Sequence, residues 1–124
     1  QDPGRINSLG TVRINFANPF AVYLHDTPVK SLFGRQDRNF SSGCVRVQEI
    51  RDLAAWLLKD DPDWSRARID AAIAGGRLTE AALPAPVPIH MLYLTAWAGG
   101  DGTVHFRDDV YGRDGRLSAG SLPY

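Results

Sequence analysis

Residues 23–47 of this 124-residue chain read YLHDTPVKSLFGRQDRNFSSGCVRV and contain the residues most suited to chemistry. Cys44 is the only cysteine of the sequence, and His25 precedes it in the same stretch. A thiol is a good nucleophile only as the thiolate, and an imidazole within hydrogen-bond reach can take its proton. The stretch therefore predicts a site in which Cys44 is the nucleophile and His25 the general base.

The neighbours of this pair supply the other parts that acyl transfer needs. Gly43 allows a close approach of the backbone, so the amides around Ser42, Gly43 and Cys44 are candidate oxyanion donors. Asp26 follows His25 directly and is the candidate for orienting the imidazole, through its backbone carbonyl or its carboxylate. The residues alone leave a second interpretation open, because a single cysteine is usually a small buried hydrophobe and a single histidine usually a structural residue.

The segment before Cys44 predicts a β-hairpin. TVRINF (11–16) alternates apolar and polar side chains, and FAVYLH (20–25) follows after an Asn18-Pro19 turn. Alternation with period two is typical of half-buried strands. Tyr23 falls on the same strand face as His25, which makes it a candidate to line the site or simply a half-buried aromatic residue.

Two helices are predicted after the Cys44 motif. The first covers about residues 48–59, where apolar residues recur at spacings of three and four. The second is predicted to be capped by Asp61, with Pro62 at its first position and Gly75-Gly76 at its end.

The last third of the chain predicts further strands. PIHMLYLTAW (88–97) is apolar on both faces, as a central strand is, and a Gly-rich turn leads into TVHFRD (103–108). The tail from Tyr111 is predicted to be loosely ordered. The fold class is therefore mixed, β-rich α+β, with two helices inserted between strands.

Composition excludes several classes of function. The formal net charge is zero, without the basic stripe that nucleic-acid binding requires. No apolar run approaches the roughly 20 residues of a membrane-spanning helix. His90 and His105 have no partners at ligand spacing, so neither a metal site nor another cofactor is expected.

The order of these residues resembles the L,D-transpeptidase family of cell-wall enzymes. That family is marked by a His, about fifteen residues, and then Ser or Thr, His, Gly, Cys, an aliphatic residue and usually Arg. Here His25 is followed by residues 26–40 and then by Ser-Ser-Gly-Cys-Val-Arg at 41–46. Ser42 replaces the second His, as in the large periplasmic members that carry a peptidoglycan-binding module. The resemblance covers nearly the whole chain and implies a YkuD-type β-sandwich or barrel, whose upstream strands and lid would precede residue 1.

The resemblance also implies a reaction. Cys44 would take the acyl group of a tetrapeptide stem of peptidoglycan, and His25 would activate an acceptor amine, which gives a 3→3 cross-link. Peptidoglycan stem peptides and carbapenem-type inhibitors are the implied partners, and the periplasm or cell envelope is the implied location. Tyr23 and Arg46 would contact substrate, although an ion pair between Arg46 and Asp52 is an equal alternative for Arg46.

Other functions remain open from the sequence. The same cysteine is compatible with L,D-carboxypeptidase activity or with anchoring proteins to the wall, and the fold with a non-catalytic wall-binding module. Sortases also run His, Cys, Arg along the chain, but with His and Cys far more widely separated. Endopeptidases of the Cys-before-His kind would need His90 or His105 as base.

Overall fold

The computed structural model describes residues 7–41 and 43–116, and the chain forms two compact units, Gln1–Val87 and Pro88–Tyr124. Its elements are β1 (Arg13–Ile14), β2 (Leu24–His25), a 3-10 helix (Lys30–Gly34), β3 (Val45–Arg46), α1 (Ile50–Leu57), α2 (Arg66–Ala74), β4 (Ala96–Ala98), β5 (Val104–Phe106) and a second 3-10 helix (Asp114–Arg116). The prediction of a mixed α+β fold with two helices after Cys44 is confirmed. The described strands form one three-stranded and one two-stranded sheet, and neither closes into a barrel.

The predicted hairpin between β1 and β2 is confirmed as an antiparallel pair, but its strands are shorter than expected. Asn18 explains the shortening of β2. Its side chain donates to the carbonyl of Val22 at 2.7 Å and accepts from the Val22 amide at 3.0 Å, so it forms a loop where the strand was predicted. Ala21 within this loop has a φ of 52°, which a strand does not allow.

β3 pairs with β2 in parallel, a pairing that the sequence did not predict. The amide of Val45 donates to the carbonyl of Tyr23 at 3.0 Å, and the amide of Val47 donates to the carbonyl of His25 at 2.9 Å. Parallel neighbours need a long crossover connection, and the irregular stretch between β2 and β3 provides it. This pairing brings the Cys44 motif next to the strand that carries His25.

Helices α1 and α2 pack together and form the small core of the first unit. Buried Ala54 and Leu58 of the α1 region contact Ile69 of α2. The predicted cap Asp61 is wrong, because the helix begins four residues later with Ser65 accepting from the Arg68 amide at 3.2 Å. The predicted end at Gly75 is confirmed. These helices have eight and nine residues, and none of those described is long and apolar enough to cross a membrane.

The second unit contains the antiparallel hairpin of β4 and β5. The predicted turn is confirmed, with the Gly99 amide donating to the carbonyl of Thr103 at 2.7 Å. The strand predicted over residues 88–97 is wrong in its extent, since regular pairing begins only at Ala96. Within the predicted loose tail, the structure describes the 3-10 helix at 114–116, and residues 117–124 lie outside the described part of the chain.

Candidate active site

The first sheet collects the predicted site residues on one face. His25 of β2 lies opposite Arg13 of β1 and opposite Arg46 of β3. Residues opposite one another in a ladder point to the same side, and so do residues two apart along a strand. One face of the sheet therefore carries the side chains of Arg13, Tyr23, His25, Cys44 and Arg46.

Tyr23 contacts both of the predicted reactive groups. Its ring meets that of His25 edge to face, with centroids 5.8 Å apart. A side-chain hydrogen bond with Cys44 raises the pKa of the Tyr23 phenol, and the thiolate charge and partial burial raise it further, while Arg13 acts in the opposite direction. Among the hydrogen bonds that the structure describes, none joins the ring of His25 to the sulfur of Cys44. The ring of Tyr23 thus contacts the imidazole, and its phenol lies near enough to Cys44 for the thiol to raise the pKa of the phenol.

His25 is held in a defined orientation. Its side chain is almost completely buried, with 5% of the residue exposed, and its Nδ1 makes a short hydrogen bond with the backbone carbonyl of Asp26. A carbonyl only accepts, so Nδ1 carries the hydrogen and Nε2 is left with a free lone pair. The ring therefore has the tautomer that a general base at Nε2 requires.

The carboxylate of Asp26 points to other partners. Oδ2 accepts from the amide and the hydroxyl of Thr11, at 3.0 and 2.8 Å, and Oδ1 forms an ion pair with Lys30. Burial alone would raise the pKa of Asp26, but the bonds from Lys30 and Thr11 outweigh burial and lower it to about 2. Of the two routes predicted for Asp26, its backbone carbonyl contacts the imidazole of His25, whereas its carboxylate binds Thr11 and Lys30.

The backbone before Cys44 has an unusual conformation. Gly43 has a φ of 146°, a region that side chains strongly disfavour, and a Cβ built there would lie 3.4 Å from the Val22 side chain. Cys44 itself is half-buried. Ser42, the other predicted backbone contributor, lies outside the described residues. The positive φ of Gly43 agrees with the prediction that the backbone here uses the conformational freedom of glycine.

Arg46 is the second cation on the site face. Its Nε is buried and has no hydrogen-bond partner among the described residues. The alternative pairing with Asp52 is wrong, because Asp52 forms its ion pair with Arg66. A guanidinium nitrogen without a partner costs free energy when it is buried, so Arg46 is available for an anionic ligand.

Two other kinds of site receive no support. A cavity of about 380 Å³ in the first unit is lined in part by Lys30, Glu49, Arg51 and Arg66, and Cys44 does not line it. Its three cations, Lys30, Arg51 and Arg66, already form ion pairs with carboxylates, so they are not free to bind an anionic ligand. Over residues 7–41 and 43–116, no three His, Cys, Asp or Glu side chains are grouped to hold a metal ion.

Comparison with known proteins agrees with the resemblance seen in the motif. The family model of the L,D-transpeptidase catalytic domain matches residues 1–79, which include the whole first sheet and both helices. The chain belongs to the L,D-transpeptidase family. It is also 35% identical, over 116 residues, to a Haemophilus influenzae protein named "Putative L,D-transpeptidase". That match covers 94% of this chain and 23% of the relative, so the chain spans about a quarter of the relative's length.

Three residues of this L,D-transpeptidase domain that shape the site were missed from sequence. Thr11 and Lys30 bind the Asp26 carboxylate, and the guanidinium of Arg13 lies 5.4 Å from the centre of the Tyr23 ring. The alternation over 11–16 did place Thr11 and Arg13 on one face of a strand. Only the register of the hairpin reveals that this face is the one that carries His25.

Proposed function

We propose that this domain transfers acyl groups of peptidoglycan stem peptides through a thioester on Cys44. The thiolate attacks the carbonyl carbon of the third residue of a tetrapeptide stem, where the carbon–sulfur bond forms. The carbon–nitrogen bond to the terminal D-alanine then breaks, and that amine leaves with the proton that His25 had taken from the thiol. An amine of a neighbouring stem, deprotonated by His25, displaces the sulfur and produces a 3→3 cross-link.

The observation that carries this proposal is the shared sheet face of Cys44 and His25. The parallel register of β2 and β3 aligns the two residues on that face, and the bond from Nδ1 to the Asp26 carbonyl leaves Nε2 free to accept a proton. In the resting structure Nε2 and the sulfur are not bonded to each other. Catalytic hydrogen bonds in unliganded enzymes are often long and tighten when substrate binds.

Backbone donors and a cation complete the proposed mechanism. The amides at Gly43 and Cys44, with Ser42 as a neighbour, would bind the oxyanion of the tetrahedral intermediate. One such donor contributes roughly 3–4 kcal/mol to transition-state stabilisation in related acyl transfer. Arg46 would bind a carboxylate of the stem peptide, which would give its buried Nε the partner that it lacks among the described residues. Tyr23 would line the donor subsite beside them.

Two properties of the proposed enzyme follow from the same chemistry. Carbapenem-type β-lactams present an acyl donor to the same nucleophile and would acylate Cys44. A peptidoglycan substrate would require the enzyme to work in the periplasm or cell envelope. With water as acceptor the thioester would hydrolyse, which is L,D-carboxypeptidase activity, and with a protein amine it would anchor a protein to the wall.

A mass-spectrometric experiment tests the proposal. The full chain and its Cys44→Ala variant are incubated with a carbapenem, and separately with purified tetrapeptide stems. We expect one carbapenem adduct per chain, located on the Cys44 peptide, together with cross-linked dimers from the stems, and neither product from Cys44→Ala. A folded wild-type protein that forms neither adduct nor dimer would instead be a non-catalytic wall-binding module.

A further inference from the structure

We propose that Thr11 is a positioning residue for the general base: it holds the carboxylate of Asp26 and so fixes the backbone carbonyl that orients the imidazole of His25. This role deepens the proposed function and rests on it. The hydrogen bond at one ring nitrogen decides which tautomer an imidazole adopts. In this site that bond goes to the Asp26 carbonyl, so the groups that hold Asp26 in place also hold the tautomer and the direction of the base.

Thr11 binds the Asp26 carboxylate with two groups at once. Its amide and its hydroxyl both donate to Oδ2, at 3.0 and 2.8 Å. The amide of Asp26 donates in turn to the carbonyl of Val12 at 2.9 Å. Backbone and side chain of Asp26 are therefore both tied to residues 11–12. Hydrogen bonds to a carboxylate are roughly twice as strong as those between neutral groups, and Asp26 is buried, so its position is closely restrained.

The surroundings leave Asp26 and Thr11 little room to shift. A Cβ built on Gly10 would lie 2.5 Å from the Cβ of Asp26, so the backbone at residue 10 already packs against this side chain. The hydroxyl of Thr11 also accepts from the guanidinium of Arg51 at 3.5 Å, which connects it to α1. Lys30, at the start of the first 3-10 helix, forms an ion pair with Oδ1 of Asp26. Contacts from a turn and two helices thus converge on the pair that holds the carbonyl beneath the base.

Removal of the Thr11 hydroxyl tests this role. Thr11→Val keeps the branched shape of the side chain and the amide, whereas Thr11→Ser keeps the hydroxyl. Thr103→Val is the matched control in the second unit, because the amide and hydroxyl of Thr103 donate to the Asp101 carboxylate at 3.0 and 2.9 Å. All three variants are made in the full chain and compared with wild type.

Two quantities are measured, the kcat and KM of stem-dimer formation and the nitrogen-15 chemical shifts of the His25 ring. The shifts are recorded at about pH 9, where an ordinary imidazole is neutral, and are identified by their loss in His25→Ala. In Thr11→Val we expect kcat to fall about tenfold with KM within about twofold of wild type, because a displaced base keeps part of its roughly 10²–10⁴-fold contribution. The ring shifts should show part of His25 in the tautomer with hydrogen on Nε2. Thr11→Ser should restore kcat and tautomer, and Thr103→Val should match wild type in both.

An unchanged kcat or unchanged ring shifts in folded Thr11→Val would overturn the inference, because a threonine that only stabilised the fold would lower the free energy of unfolding alone. If that variant does not fold by circular dichroism, Lys30→Met decides, since Lys30 also binds the Asp26 carboxylate and its loss should move the ring shifts in the same direction by a smaller amount. Wild-type ring shifts in Lys30→Met would then overturn the inference. The shifts need no turnover, so absence of stem dimers from the wild-type protein refutes the proposed acyl transfer separately.

Discussion

The two sheets of this protein are stabilised in opposite ways. In the first, polar residues at the end of β2 are buried, with exposures of 5% for His25, 6% for Asp26 and 2% for Thr27. In the second, every residue of β4 and β5 is exposed, including Phe106 at 75%. The first sheet buries the groups that are costly to bury, and the second exposes the groups that usually form a core.

This difference indicates in which sheet the positions of the side chains are more tightly constrained. Buried polar groups stabilise a fold only when each has its partner, so the segments that bind Asp26 must come from defined places. Thr11 supplies partners from the turn before β1, and Lys30 supplies one from the start of the first 3-10 helix. The hairpin of β4 and β5 depends instead on its own turn and ladder. Substitutions of the same residue type should therefore have large effects on turnover or stability in or near the first sheet, and small effects in or near the second.

The largest contrast is expected for histidines. His25→Ala should reduce the rate of cross-linking by about 10²–10⁴-fold, because the general base is lost. His105→Ala is the matched change on β5, where His105 stacks on Trp97 and is exposed, and it should leave the rate within about twofold of wild type. Steady-state formation of stem dimers measures both. Near-normal turnover in His25→Ala would contradict the assignment of the base.

Glycines should give the next largest contrast. A Cβ at Gly10, whose φ is 64°, would lie 2.5 Å from the Cβ of the buried Asp26. Gly10→Ala should therefore lower the free energy of unfolding by about 2–4 kcal/mol, as the sum of left-handed backbone strain and overpacking. Gly102 has a φ of 81° but open space around it, so Gly102→Ala should cost only about 1–2 kcal/mol.

Urea denaturation followed by circular dichroism compares these two glycine variants. Equal losses of stability would show that the clash with Asp26 relaxes without cost, and the contrast between the two sheets would fail at this position. A larger loss in Gly10→Ala, accompanied by slower turnover, would show that the loop around Gly10 also supports the orientation of His25.

The smallest contrast concerns acid stability. The pKa of Asp26 falls from an ordinary 3.8 to about 2, since the bonds from Lys30 and Thr11 outweigh the opposing effect of burial. A carboxyl with a lowered pKa stabilises the fold above its unfolded pKa and loses that contribution as pH falls through the folded one. Asp26 should therefore contribute about 1–2 kcal/mol that disappears between roughly pH 4 and pH 2.

The free energy of unfolding, measured across that pH range in the wild type, Asp26→Asn and Asp109→Asn, tests this prediction. Asp26→Asn should remove much of the pH dependence. Asp109→Asn should remove less, because the bond from Tyr93 that lowers the pKa of Asp109 lies in a solvent-accessible environment. A wild-type slope that persists unchanged in Asp26→Asn would show that other carboxyl groups govern acid unfolding.

Prediction from sequence succeeded where the signal is local. Helix α1, the β1–β2 hairpin and the turn at Gly99 each follow from the spacing of neighbouring residues or from turn chemistry, and all are present. Prediction failed at the ends of strands and helices, where a side chain forms hydrogen bonds with the backbone in place of the regular pattern. Asn18 replaces ladder bonds at the start of β2, and Ser65 caps α2 in place of Asp61. Such competition depends on which donor reaches the backbone, and spacing alone does not show it.

The amino-acid sequence by itself determined the family, through the order of His25 and the Ser-Ser-Gly-Cys segment, and it singled out the residues proposed as base and nucleophile. Only the tertiary structure decided how they are held. The parallel pairing of β2 with β3 and the bonds from Thr11 to Asp26 join different segments of the chain. Contacts of this kind have no periodic signature, because chain folding and not residue spacing brings the partners together.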